Sequence, residues 1–300
     1  MLWCVNVTVQ YLDGGVLAVN ATKSIGRSFY AITLLLVAAI GIYGYLGSAG
    51  VHRRQDAIRQ IGILGGSATN SDRQPDSPII NVVLSGAQVT DAGLVHLEVL
   101  TELEKLMLSN SQVTDAGLVH LEELSELQTL YLIGTPITDA GLVHLKGLTN
   151  LEHLDLGGTL VTDAGLVHLE GMSQLDTLGL SNTRVTDEGM VHLKGRPALR
   201  ILNLSHTQLT DAGLIQLKEL PRLVTLGLSN TRVTDEGIVH LKGWPELHTL
   251  VLDSTQVTDA GLVHLKELAD LQALYLTDTE IADERLDELK QALPDCRIFH

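Results

Sequence analysis

At 300 residues and 32.4 kDa, the chain is long enough for two domains. It is 45% apolar but only 3% aromatic, so it lacks the usual stock of large anchor residues found at interfaces. Its formal charge is −16, and residues 79–300 alone hold 14 basic and 32 acidic side chains. Such a surface repels phosphate and argues against nucleic acid as a partner.

Residues 1–27 mix apolar and polar side chains and yield no assignment as an N-terminal tail. Ser28–Val51 contains no charged residue, and Phe29–Leu46 within it is mostly apolar. About 20 helical residues span the hydrocarbon core, so residues 28–51 read as a single transmembrane helix. Tyr30, Tyr43 and Tyr45 lie near its ends, where aromatics favour the headgroup layer. A cleaved signal peptide competes with this reading, but the run is long for one and starts late. A buried soluble helix is the third reading. Lys23 and Arg27 before the run nearly balance Arg53 and Arg54 after it. The orientation adopted is a signal-anchor, with the tail inside and everything downstream outside the cytoplasm.

Residues 52–78 read as an N-terminal cap or juxtamembrane linker. Ile58, Ile61 and Leu64 fall at helical spacing, and Gly65 and Gly66 stop the helix. Ser67–Pro78 is polar with two prolines and reads as a loop. The helix is expected to cover the open end of a strand at Ile79–Leu84. The alternative is a stalk on lipid headgroups, favoured by Arg53, Arg54 and Arg59.

From Val89 onward the chain repeats itself. Copies start at Val89, Val113, Ile137, Val161, Val185, Leu209, Val233 and Val257, and a broken ninth starts at Ile281. The period is 24 residues throughout, the mark of a solenoid whose units contact mainly their neighbours. In the copy Val161–Arg184, Leu175, Leu178 and Leu180 suit a strand with one buried face. Thr162 and Asp163 offer N-cap oxygens, and Leu166, Leu169 and Met172 follow at helical spacing. Gly165 costs about 1 kcal/mol in a helix relative to Ala. It is tolerable if close packing between coils leaves no room for a side chain. Ten strands are expected at 24-residue steps, from near residue 80 to near residue 296.

This pattern resembles the leucine-rich repeat family. The residues that carry the resemblance are, for example, Leu175, Leu178, Leu180, Thr183 and Val185, followed by Thr186, Asp187, Gly189, Met190 and Leu193. It covers roughly Ile79 to His300. The Thr-Asp-Ala-Gly-Leu helix is most similar to repeats of F-box/leucine-rich-repeat proteins and of bacterial proteins built from like units. One departure is Thr where the family usually has Asn or Cys at the strand exit, from Thr135 to Thr279. These hydroxyls are expected to bond backbone groups of the neighbouring turn.

The resemblance implies an α/β leucine-rich repeat solenoid over 79–300. It would be a curved right-handed coil with a parallel sheet on the concave face and short helices on the convex face. Residues 281–300 read as its C-terminal cap. Cys4 and Cys296 lie on opposite sides of the transmembrane run and form no disulfide framework.

Strand alternation then picks out the concave face. A central column runs from Val83 through Met107, Tyr131, Asp155, Asn203, Val251 and Tyr275 to Phe299. Flanking columns contain Lys105 and His153 on one side, and Ile133, Gly157 and Asp253 on the other. The middle is small and polar, with larger groups towards the ends. A protein or peptide groove is expected, gripped by Met107, Tyr131 and Ile133 at one end and by Val251 and Tyr275 at the other. Lys105, His153, Asp155, Asn203 and Asp253 complete the candidate binding residues. The opposing reading is that these positions are merely solvated. The acidic balance suits a basic partner.

The helices carry His96, His120, His144, His168, His192, His240 and His264, with Gln216 breaking the column. Neighbouring helices about 8–10 Å apart are too far apart to share a zinc ion about 2 Å from each ligand. No metal or cofactor is expected. A pH response is the weaker alternative, because free imidazoles charge below about pH 6.5. The Asp column, from Asp91 to Asp259, reads as helix capping and not calcium binding. No unique nucleophile, base and orienter stand out, since each such residue recurs in every coil. The chain is therefore read as a non-enzymatic, membrane-anchored protein–protein interaction module. Alternatives are a substrate adaptor similar to F-box/leucine-rich-repeat subunits of ubiquitin ligases, and lateral assembly through the convex Val and His columns. Only the repeats support the adaptor, since a membrane-span candidate stands where that family carries its F-box.

Overall fold

The computed structural model describes residues 8–12, 16–20, 50–72 and 77–300. The transmembrane reading of 28–51 lies outside the described residues apart from positions 50 and 51. No helix among the described residues is long and apolar enough to cross a membrane. The chain divides into two compact units, Met1–Gln55 and Asp56–His300.

The first unit contains a hairpin of β1 (Thr8–Leu12) and β2 (Val16–Asn20), paired antiparallel from Thr8↔Asn20 to Leu12↔Val16. Sequence reading left this stretch unassigned. Its signal was present in two short β-prone runs flanking Asp13, Gly14 and Gly15, which carry turn chemistry.

The second unit is built on one 11-stranded sheet. It begins with β3 (Ser67–Asn70) and β4 (Ile79–Val83). Then come β5 (Lys105–Met107), β6 (Thr129–Tyr131), β7 (His153–Asp155), β8 (Thr177–Gly179) and β9 (Ile201–Asn203). They are followed by β10 (Thr225–Gly227), β11 (Thr249–Val251), β12 (Ala273–Tyr275) and β13 (Arg297–Phe299). From β4 to β13 the strands are parallel and adjacent in chain order, each stepped by one coil. β3 corrects the loop expected over Ser67–Pro78, because it pairs antiparallel with β4. Without it the outer edge of β4 would present a row of unpaired N–H and C=O groups. The helical residues 56–63 close the same end: Ala57 and Ile61 are buried, and Ile58 and Leu64 pack on the core.

Each coil feeds the core through one Leu-rich set. In the coil from Val161, the side chains of Leu166, Leu169, Met172, Leu175, Leu178 and Leu180 are fully buried. The helices are short: Asp163–Leu166 forms one α turn and Val167–Leu169 continues as a 3-10 turn. After each strand from β4 to β12 the chain reverses through a residue of positive φ, such as Asn110, Gly158, Asn182, His206, Asn230 or Ser254. Asn and Gly tolerate that conformation better than Ser does. The Thr at the strand exit then bonds within its own coil, not to the neighbouring turn as expected. Thr183 Oγ1, for example, donates to the Leu180 carbonyl at 2.6 Å.

The Asp column also differs from the expectation. Thr162 caps its own helix, accepting from the Ala164 N–H at 3.3 Å. Asp139, one coil earlier, accepts from the Thr162 N–H at 2.8 Å and from its hydroxyl at 2.6 Å. The Asp side chains therefore tie one coil to the next, and Thr supplies the cap. The same pair of bonds joins Asp163 to Thr186, Asp187 to Thr210 and Asp211 to Thr234. This tie explains the helical glycines from Gly117 to Gly261. A Cβ on Gly165 would overlap Asp139 Oδ1 and lie 3.2 Å from its Cγ.

One core position breaks the pattern. Arg196 occupies the place held by Met172, Leu220 and Trp244 in neighbouring coils, and it is only 7% exposed. Nη1 donates to the Met172 carbonyl at 3.1 Å and Nη2 to the His192 carbonyl at 3.4 Å, while Nε has no partner. Burial lowers its pKa from the usual arginine value, opposed by Glu170. At the C-terminal end, helix Asp283–Ala292 buries Leu286 and Leu289, and Ile298 of β13 packs on the core. Cys296 is a free, half-buried thiol whose pKa burial raises.

Candidate protein-binding face

The ladder register puts the candidate residues on one face of the sheet. Lys105, Thr129 and His153 are successive partners in one column, and Met107, Tyr131 and Asp155 in the next. Further along, Asn203 lies in register with Gly227, and Val251 with Tyr275. Ile133 and Asn203 are exposed, whereas Lys105, Met107, Tyr131, His153, Asp155, Val251, Asp253 and Tyr275 are half-buried.

These residues do not converge on one pocket. Tyr131 and Tyr275 are six strands apart, which at about 4.8 Å per strand is about 29 Å. Each end has its own cluster. Lys105 Nζ lies 5.9 Å from the centre of the Tyr131 ring, a cation–π contact. At the far end Tyr275 stacks on Phe299, with ring centres 4.5 Å apart and planes 10° from parallel. Sequence reading placed Phe299 in this column without choosing it. Its 42% exposure makes it part of the apolar end.

The middle of the face is flat because its polar side chains fold back on the sheet. Asp155 Oδ1 accepts from the Gly157 N–H at 2.8 Å. Its carboxylate covers Gly179, where a Cβ would overlap it. Asn203 Oδ1 accepts from the Ser205 N–H at 3.0 Å and covers Gly227 in the same way. Asp253 Oδ1 accepts from the Thr277 N–H at 2.8 Å. One oxygen of each is therefore already engaged.

On the helical side, His120, His144 and His192 meet Glu98, Glu122 and Glu170 at 2.6, 2.5 and 2.8 Å. Where the residue at the Glu position is Lys146 or Lys242, Nδ1 of His168 or His264 is buried without a partner. The pKa of His168 is lowered by burial and by Lys146, against the pull of Asp139. Among the described residues no group of His, Cys, Asp and Glu is placed to hold a metal ion. A surface groove of about 360 Å³ is lined by Asp259, Val263, Lys266, Arg285 and Glu288. Three of its charges pair with one another, Glu288 being bonded to Lys266 at 3.1 Å and to Arg285 at 2.7 Å.

The second unit thus has a solenoid fold like that of leucine-rich repeats, with a parallel sheet on one side and short helices on the other. A Leucine Rich repeat family profile matches residues 147–169 and 197–218. Among solved structures the chain is similar to an internalin (InlF) from Listeria monocytogenes, at 24% identity and a TM-score of 0.57. That match covers 69% of this chain and 56% of the internalin, so the chain spans little more than half of that protein. It is also similar to internalin C2 from the same organism, at 28% identity and a TM-score of 0.57, covering 66% of this chain and 81% of that one. A search of curated proteins gives no match.

Proposed function

We propose that the chain is a non-enzymatic binding module that holds a protein or an extended peptide across the open face of its sheet. The observation that carries this reading is the pair of aromatic ends, Lys105–Tyr131 and Tyr275–Phe299, about 29 Å apart on one ladder. The surface between them is small and polar. An extended peptide would need about nine residues to reach both ends, at about 3.3 Å per residue. The acidic surplus of residues 79–300 favours a basic occupant, and the leucine-rich-repeat likeness supports an interaction role. The run at 28–51 would tether the module to a membrane, with the repeats outside the cytoplasm.

Panning the full chain against a displayed random-peptide library tests the binding reading. Basic peptides are expected, with Tyr131→Ala and Tyr275→Ala each weakening the selected peptides at least tenfold. Wild-type affinity in both variants removes this face as the binding surface. A reporter fused at His300 tests the tether, and a cytoplasmic signal overturns the orientation.

A further inference from the structure

The helical side carries an apolar stripe that the sheet face does not explain. One aliphatic side chain per coil, from Val95 to Val263 at 24-residue steps, stands 38% to 55% exposed. Nothing in the coil covers it, although every other large aliphatic column of the repeat is buried. Three residues further along each helix runs a parallel rail of charge, adjacent to the stripe by helical geometry. The rail is acidic at Glu98, Glu122 and Glu170 and basic from Lys194 to Lys266, with Lys146 as the one early exception. Its sign therefore reverses along the solenoid.

We infer that this stripe is a homotypic interface, in which two copies of the chain pack helical side to helical side and antiparallel. A second copy is the partner whose exposed aliphatic column necessarily has the same pitch, so the two stripes match coil by coil. The rail selects the antiparallel arrangement. A two-fold axis between the fourth and fifth coils sets Glu170 against Lys194, Glu122 against Lys242 and Glu98 against Lys266 of the second copy. Only Lys146 against Lys218 is a like pair. A parallel two-fold would carry each rail to the far side of the stripe from its counterpart, so these opposite-charge pairs form only in the antiparallel arrangement. The rail charges already have local partners, such as Glu122 with His144 and Lys242 with Glu267 at 2.8 Å. At half exposure they keep room for a second contact.

Sedimentation velocity of the full chain, held in a non-ionic detergent, tests this. A dimer is expected, and Val167→Glu with Val191→Glu should abolish it while circular dichroism stays unchanged. Glu122→Lys or Lys242→Glu alone should weaken the dimer about tenfold, and the two together should restore it. A monomeric wild type overturns the inference. So does a dimer indifferent to the valine changes, or one that the paired charge swap fails to rescue.

Discussion

Gly165→Ala sets helix propensity against packing between coils, and the two predict opposite signs. Propensity alone favours Ala by about 1 kcal/mol. The structure places Asp139 Oδ1 where the new Cβ must go, and that carboxylate is held by two bonds to Thr162, at 2.8 and 2.6 Å. Bonds to an ionised group contribute about 1.5–3 kcal/mol each when intact. Asp139 is half-buried, so water replaces part of what is lost when it shifts. The expected net cost is about 2 kcal/mol after the propensity gain. In an Asp139→Ala background only Leu142 Cδ1, the end of a flexible side chain 3.0 Å from the new Cβ, still has to give way, and Gly165→Ala should be neutral or stabilising by up to about 1 kcal/mol. Urea denaturation of the four chains, followed by circular dichroism, gives the coupling energy from the double-mutant cycle. Equal m-values are required, since repeat arrays can lose cooperativity. If Gly165→Ala stabilises the wild-type chain, or costs the same in both backgrounds, the inter-coil tie is not what demands glycine.

Arg196→Leu should raise stability by about 1–3 kcal/mol in the same assay, since it restores the core column and removes a buried cation with an orphaned Nε. Ser254→Gly relieves a left-handed backbone at φ 55° and should stabilise by about 0.5–1 kcal/mol; an unchanged midpoint refutes the strain. The lowered pKa of His168 means the unfolded chain takes up its proton first as pH falls through about 6.5. Stability should therefore decline on acidification through that window, and His168→Gln, copying Gln216, should flatten the decline. Lys146→Glu gives His168 the partner that His120 and His144 have. It should reduce or reverse the same slope, read as melting temperature between pH 7 and pH 5.

The architecture was legible because a solenoid turns sequence period directly into spatial register. Leu175, Leu178 and Leu180 named the buried face, and a 24-residue step then fixed which side chains lie beside one another in the ladder. Contacts between coils were harder to read. Asp139 and Thr162 look like a local capping pair when each is seen beside its own neighbours, and only the stack reveals that they bond to each other. The constant Gly165 column was the available clue. The binding face was legible as positions but not as conformations. Nothing in the sequence says that Asp155 and Asn203 fold onto Gly179 and Gly227. β3 was missed because polar Ser67–Asn70 lacks a hydrophobic pattern, and its pairing answers a need of β4's edge.

The tie between coils bears on how such a chain grows and stops. Each Asp reaches forward, so a lone coil satisfies neither its own carboxylate nor the threonine of its successor, and the smallest cooperative piece is a pair. Whole coils can therefore be gained or lost by duplication or deletion with every remaining junction intact. The final junction differs: Asp259 meets Ala282, which offers its N–H at 2.9 Å and no hydroxyl. That junction is half a joint, with one carboxylate oxygen offered no hydroxyl to accept from.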